Sequence, residues 1–216
     1  MATIALFGVT GYAGRHLAAE FVARGHEVIG VARSITPENT PDGVTARPGS
    51  IHDVDLVTEV ARAADQIVVS LPARGGEGEP LLIDALPLLV DVAVAHEARL
   101  SFVGGAGSLL VAPGGPALID TDAFPDAYKP EAAAHREILE ALRVSDPALD
   151  WFYVSPAATF GSWNPGERTG TFRVGDDVML TDENGESAIS GADLAIAYAD
   201  EIESGAHPRA RIGVAY

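Results

Sequence analysis

The sequence contains no cysteine. Disulfide staples and thiolate chemistry are therefore excluded, and a reducing compartment is compatible with the chain. Lysine is almost missing as well: Lys129 is the one lysine among 14 basic side chains, set against 31 acidic ones, for a formal charge of −17. No basic cluster exists anywhere along the chain. A nucleic-acid partner, which needs a basic face, is not expected. The arginine bias reads as codon usage, with a salt-adapted acidic surface as the alternative. No stretch approaches the roughly 18 apolar residues that span a bilayer. The first apolar run stops at Gly8 and no basic n-region precedes it, so neither a signal peptide nor a membrane anchor is expected. The reading that follows is a cytoplasmic protein. His26, His52 and His96 have no companions at metal-ligand spacing, so no metal site is expected.

With 216 residues, 47% of them hydrophobic, the chain can bury the core of one domain. Apolar, β-branched runs recur at Thr3–Phe7, Glu27–Val31, Val44–Arg47, Gln66–Leu71, Leu100–Val103 and Asp150–Ser155. Helical patterns alternate with them at Ala13–Arg24, Val54–Ala63, Pro80–His96 and Pro130–Val144. This alternation predicts βαβ units and a parallel sheet, an α/β fold. The runs "QIVVSL" and "LSFVGG" are nearly continuous in apolar residues, as suits strands covered by helices on both faces. After Pro156 the character changes. "RTGTFRVGDDVMLTDENGES" predicts a hairpin or small sheet, turning at Gly175-Asp176 and at Asn184-Gly185. A helix is expected to start at Ser190 and stop at Gly205. A last strand, Ala210–Val214, is expected at a sheet edge. One domain is expected over 1–216, with a core at 1–156 and a small elaboration at 157–216.

The segment "IALFGVTGYAGRHLAAEF" places Gly8, Gly11 and Gly14 where the first strand meets the first helix. Gly8 can take backbone angles closed to other residues. Gly11 lets the main chain approach a ligand, and Gly14 lets the helix pack closely. The helix N-terminus presents free N–H groups and partial positive charge, so a pyrophosphate is the expected guest. Thr10 can add a hydroxyl bond. The glycine pattern by itself is weak; its place between a strand and an amphipathic helix strengthens it. An acidic residue at the end of the second strand would bond a ribose 2′-hydroxyl. Here "VIGVARS" puts Arg33 in that place with Ser34 beside it, and a guanidinium suits a 2′-phosphate. NADP(H) is therefore favoured over NAD(H).

At these residues the chain resembles the atypical short-chain dehydrogenase/reductases, in their NAD(P)H-binding, NmrA-like group. It is similar there to NADH-flavin reductases and to biliverdin-IXβ (flavin) reductase. The segments "GVTGYAGRHLA", "GHEVIGVARS", "QIVVSLP", "LSFVGGAGSLLVAPG", "FPDAYKPEAAAHREILEALR", "LDWFYVSPAATFGSWNPGERTGTFR" and "ISGADLAIAYADEIE" carry the resemblance across most of the chain. It implies a Rossmann-like, doubly wound parallel sheet with a small substrate-side elaboration at its C-terminus. It implies Gly8, Thr10, Gly11, Tyr12 and Ala13 at the phosphates, Arg33 and Ser34 at the adenosine ribose, and Ser50 and Ile51 near adenine. Ser70, Leu71 and Pro72 fall to the nicotinamide ribose. Gly104 and Gly105 fall to the nicotinamide, with Pro156 closing that pocket.

The sequence also departs from the carbonyl-reducing members of that class. They pair a serine with a tyrosine and a lysine four residues later, the lysine lowering the pKa of the phenol that donates the proton. Here Lys129 follows Tyr128 directly and position 132 is Ala132. The fifth strand ends in Gly104, Gly105 and Ala106, with Ser108 a little beyond. Hydride transfer to a flavin or quinone needs mainly stacking of two flat rings, so orientation is the protein's task. Phe160 and Trp163 are candidate walls for such a substrate, and Tyr128 is the candidate catalytic residue. Lys129 and His135 are weaker candidates, and "RGGEGEP", Arg74 to Pro80, is a candidate lid. The expected function is an NADPH-dependent reductase acting on a flavin, quinone or similar small conjugated acceptor. A non-catalytic NAD(P)-sensing regulator and an epimerase or isomerase stay open as alternatives. The oligomeric state stays open between monomer and homodimer.

Overall fold

A computed structural model describes residues 1–76 and 78–216. Eight strands form one sheet: β1 (Thr3–Phe7), β2 (Glu27–Ala32), β3 (Val44–Pro48), β4 (Gln66–Val69), β5 (Arg99–Val103), β6 (Trp151–Pro156), β7 (Arg173–Gly175) and β8 (Ala210–Ala215). Among the described residues five α-helices accompany them: α1 (Tyr12–Ala23), α2 (Val54–Arg62), α3 (Leu82–Ala95), α4 (Lys129–Arg143) and α5 (Gly191–Ser204). The sheet order is β3-β2-β1-β4-β5-β6-β8-β7, parallel throughout except for the β7–β8 pair. The first six strands follow the doubly wound dinucleotide-binding order, with its reversal between β1 and β4. The sheet is the expected α/β, Rossmann-like one.

Each face of the sheet carries its own core. On one side Leu17 and Phe21 of α1 and Leu194, Ala197 and Tyr198 of α5 pack on Ile4, Leu6, Val68 and Phe152. On the other, Val57 and Val60 of α2, Leu89 of α3 and Ile138 and Leu142 of α4 pack on Ala5, Phe7, Ile67, Phe102 and Tyr153. Every residue of β5 and β6 is buried, which is why those runs lack a polar alternation. The Asp53 carboxylate caps α2 by accepting from the N–H groups of Asp55 and Leu56. Ser190 caps α5, and Gly205 ends it at φ +59°, in the left-handed region that a glycine enters without strain.

Two expectations about the C-terminal region need correcting. The segment after Pro156 does not fold back on itself as a hairpin at Gly175-Asp176. Arg173–Gly175 instead pairs antiparallel with Gly213–Ala215. The last strand is not an edge. β8 lies between β6 and β7, in parallel register with β6 from Phe152↔Ala210 to Pro156↔Val214. The sheet gains more by continuing an apolar run beside β6 than by isolating a hairpin, because Arg211–Ala215 are buried there. The turn at Asn184-Gly185 is present, with the Gly185 N–H donating to the Asp182 carbonyl.

A buried carboxylate fastens this region to the rest. Asp193, in the first turn of α5, is fully buried. It accepts from the N–H groups of Thr169 and Gly170, each at 2.9 Å, and from the Thr169 and Tyr216 hydroxyls at 2.7 and 2.8 Å. Burial works against ionisation, but these donors outweigh it and hold the Asp193 carboxyl below the usual carboxylate range. A carboxyl with a depressed folded-state pKa stabilises the fold above its unfolded value, and that contribution is lost as the pH falls through the depressed one. Asp193→Asn is expected to cost about 2–4 kcal/mol at neutral pH. Its stability is also expected to fall less steeply with acidification than that of the parent. Reversible chemical denaturation across the acid range checks both.

Candidate functional site

A cleft of about 590 Å³ opens where the strand order reverses. Its floor is the carboxyl ends of β1 and β4. There Ser70 N–H donates to the Phe7 carbonyl at 2.8 Å and Gly8 N–H donates to the Val31 carbonyl at 2.9 Å. Gly8 sits at φ +88°, and a Cβ on it would stand 2.1 Å from the Ser70 carbonyl oxygen. A Cβ on Gly14 would stand 2.1 Å from the Gly8 carbonyl oxygen. The two glycines thus let strand β4, the turn and helix α1 stack at backbone distance. Gly11 is the N-cap of α1 and no side chain caps it, so the first-turn N–H groups keep their donor capacity for a ligand. Gly8, Thr10 and Gly11 all line the cleft, and the helix dipole favours an anion there. These residues fit a dinucleotide's diphosphate.

From this turn the cleft runs over the end of β2 to Arg33 and Ser34 and then to Ser50 and Ile51. Gly49 and His52, which sequence reasoning passed over, line it too. The opposite wall is the loop after β4, with Arg74, Gly75, Gly76, Glu79 and Pro80. Glu77, within the loop expected as a lid, lies outside the described residues. Arg33 Nη1 donates to Glu79 Oε1 at 2.5 Å. The other Glu79 oxygen accepts from the Gly76 N–H at 3.0 Å. Those two donors, the Gly76 amide first, hold the Glu79 carboxyl below its ordinary range.

Ser70, Leu71 and Pro72 line the cleft where β4 ends. The strand stops at Val69, two residues short of the expected Leu71. Several residues expected at the cofactor lie outside the lining of this cleft. Gly104 is a glycine because Tyr153 packs against it: a Cβ there would lie 2.0 Å from the Tyr153 ring. Gly105 faces open space, and Pro156 is buried opposite Val214; neither lines the cleft. Ala13 packs against the α1–α5 core. The Tyr12 side chain straps α1 to the C-terminal region, its hydroxyl accepting from the Gly191 N–H and donating to the Pro165 carbonyl, each at 3.2 Å.

The Tyr12 ring also lies 5.5 Å from that of Phe160, which is half-buried against the same core. Just past β6 a second cleft, about 570 Å³, is lined by Ala158, Thr159, Trp163, Asn164, Met179 and Leu118, among others. Trp163 is 70% exposed there. A side chain at Gly161 would collide with the Trp163 indole, which folds back across it. Tyr128 is 64% exposed at the head of α4 and lines neither cleft. Lys129 pairs at 2.7 Å with Asp126. Ser108 accepts from Arg211, which also binds Asp177, so that serine belongs to a structural network.

A residue just outside the cleft lining also escaped sequence reasoning. Glu131, in the first turn of α4, reaches across to the loop after β4. Its carboxylate accepts from the N–H groups of Ala73 at 2.6 Å and Arg74 at 3.0 Å. His135 Nε2 lies 3.2 Å from it on the next turn of α4. Burial opposes its charge, but His135 and the two amides hold the Glu131 carboxyl below its usual range. The signal available was an acid three residues after Tyr128 and four before a histidine on one helix face, and that pattern has many meanings. Glu131 sets the path of the chain just beyond Pro72. In Glu131→Ala, amide exchange at Ala73 and Arg74 is expected to quicken about 10- to 100-fold, as befits the loss of charge-assisted bonds. Hydrogen exchange followed by NMR checks it, with the β5 amides as the unaffected control.

Comparison with known proteins places these features in a family. The NAD(P)H-binding family model matches residues 8–204. The chain is similar to a "putative NADH-flavin reductase" of Streptococcus pneumoniae TIGR4, with 31% identity, 100% of this chain and 99% of that one covered, and a TM-score of 0.88. It is similar to a "putative exported protein" of Burkholderia pseudomallei, with 40% identity, full coverage of both chains, and a TM-score of 0.85. It is also similar to a "putative epimerase" of Bacteroides thetaiotaomicron, with 32% identity, 99% and 96% covered, and a TM-score of 0.86. Among the described residues no helix is long and apolar enough to cross a membrane. A glycine turn at the sheet's reversal point, an uncapped helix above it and a family match across most of the chain agree: the protein belongs to the NAD(P)H-binding family.

Proposed function

We propose that this protein is an NADPH-dependent reductase of the cytoplasm that passes a hydride to a flat conjugated acceptor such as a flavin or a quinone. The observation that carries the cofactor preference is Arg33. It stands in the cleft at the end of β2, where an acid would select NADH. The cradle of Gly8, Thr10 and Gly11 holds the diphosphate, Ser50 and Ile51 border the adenine, and Ser70 to Pro72 border the nicotinamide ribose. When bound, the reduced nicotinamide supplies the hydride. The chain's own work is to align the two rings and keep water from between them. Water supplies the proton that completes the acceptor's reduction.

The acceptor side is assigned to the second cleft, with Trp163 as its flat wall. Phe160 packs beside Tyr12, between the glycine turn and the segment of Trp163. Three features favour a conjugated acceptor over a simple ketone. Ala132 replaces the lysine of the carbonyl-reducing class, Lys129 is engaged by Asp126, and Tyr128 lies outside both clefts. The same features are what a nucleotide sensor without chemistry would show, so turnover decides between the two readings.

The test is the loss of reduced-nicotinamide absorbance when NADPH and the protein meet FMN, riboflavin or a quinone. Turnover with at least one acceptor is expected. Tight NADPH binding with no turnover supports the sensor, and interconversion of a sugar or ketone epimer supports the epimerase. Arg33→Ala is expected to weaken NADPH binding about 10- to 100-fold and to leave NADH within about twofold, as read by calorimetry. Trp163→Ala is expected to raise the acceptor KM by about tenfold with the NADPH Kd unchanged. An unchanged KM would remove the second cleft from the reaction.

A further inference from the structure

The cleft wall opposite Arg33 carries a carboxylate in a place where an anionic cofactor has no evident use for one. The chain has 31 acidic residues, yet among the described residues that line the cleft Glu79 is the one acid. It is placed by its loop. The Gly76 N–H donates to Glu79 Oε2, and the Glu79 N–H donates back to the Gly76 carbonyl, each at 3.0 Å. Gly75 makes this wrap possible, since a Cβ on it would stand 2.6 Å from the Glu79 Cβ. The remaining oxygen is presented to the Arg33 guanidinium. Both side chains are open to solvent, Arg33 at 66% and Glu79 at 40%.

The Glu79 carboxylate takes the Arg33 Nη1 donor, one of the guanidinium donors that a phosphate monoester would also take. We propose that Glu79 is a built-in competitor for the cofactor's 2′-phosphate, occupying Arg33 until that phosphate displaces it, and that the exchange sets how strongly the protein prefers NADPH. The inference rests on the proposed NADPH reading of Arg33. Two consequences follow from the geometry. The 2′-phosphate competes with Glu79 for Nη1 and for the guanidinium's charge, so part of its binding energy is offset. NADH, which has no 2′-phosphate, leaves the Arg33–Glu79 pair in place and does not meet this competition. Glu79 therefore compresses the preference for NADPH below what Arg33 alone would give. It also ties the β4–α3 loop across the cleft while the phosphate is absent.

The experiment is isothermal titration of NADPH and of NADH into the parent protein, Glu79→Gln, Arg33→Ala and the double variant. Both side chains are exposed, so the substitutions spare the core. Glu79→Gln is expected to tighten NADPH by about two- to fivefold, the scale of an exposed ion pair, and to leave NADH unchanged. In the Arg33→Ala background the same change is expected to do nothing to either cofactor, because the competition needs the guanidinium. If Glu79→Gln leaves NADPH binding unchanged while Arg33→Ala weakens it, the competitor role is overturned and the NADPH reading stands. If Glu79→Gln weakens NADH instead, Glu79 is an acceptor for the ribose hydroxyl and the proposal is wrong. If Arg33→Ala shifts the preference for neither cofactor, the NADPH reading itself falls, and the competitor role with it.

Discussion

The structure around the cleft depends on one steric fact: three pieces of backbone meet with no room for a methyl group between them. The Ser70 carbonyl of the β4 end, the Gly8 turn and the first turn of α1 stack in sequence. A Cβ on Gly8 or on Gly14 would come within 2.1 Å of a carbonyl oxygen in the next layer. An alanine at either position would force the helix off the strand ends, and Gly8 at φ +88° would be strained besides. Close stacking aims the uncapped amides of α1 along the crevice instead of out into solvent. Because β2 and β4 flank β1 on opposite sides, no crossover covers this point, and the crevice stays open to a ligand.

Electrostatics follow the same plan. The chain carries a formal charge of −17, an unwelcoming field for a polyanionic dinucleotide. The cleft departs from that average. Arg33, Arg74 and the helix N-terminus stand in its walls, and its acid is already paired. Acids elsewhere are spent on the scaffold: Asp193 on the Thr169 loop, Glu131 on the amides beyond Pro72, and Glu201 on the buried Arg99, which also lies 4.5 Å over the Phe152 ring. These carboxylates sit where their charge is met by donors, so a net-negative protein still offers a locally positive groove.

Most of the fold was legible in the sequence because its signals are local. Strand β1, the glycine turn and α1 are read from a run of apolar residues, three glycines and a 3.6-residue period, and each lies within two residues of its expected bounds. The α5 caps were equally plain, a serine before and a glycine after. What failed to show was non-local. Whether Arg173–Gly175 pairs with its neighbour in sequence or with the last strand depends on which edge of the sheet is free, and no short window records that. The glycines at the end of β5 are ambiguous for a similar reason. A glycine beside a cofactor and one beside a tyrosine look alike in sequence, and Gly104 has no room for a side chain beside Tyr153, far along the sequence. Glu131 and Glu79 act through backbone amides and one guanidinium in other elements, so their positions in the sequence carried no mark of it.

The same contrast bears on the proposed chemistry. A carbonyl reductase must hold a proton donor and a pKa-lowering cation within one helical turn of each other, and α4 has given those positions to other tasks. Its Lys129 holds Asp126, its position 132 is an alanine against Gly107, and its Glu131 secures the β4 loop. Helix α4 is thus committed to placing the walls of the cleft. An acceptor that needs no protein-borne acid at the moment of transfer is compatible with such a helix. A conjugated ring meets that condition, since its reduction spreads the added charge over many atoms and water can complete the protonation afterwards. On the proposed reading, the geometry of α4, more than any single side chain, is what favours a flat delocalised acceptor.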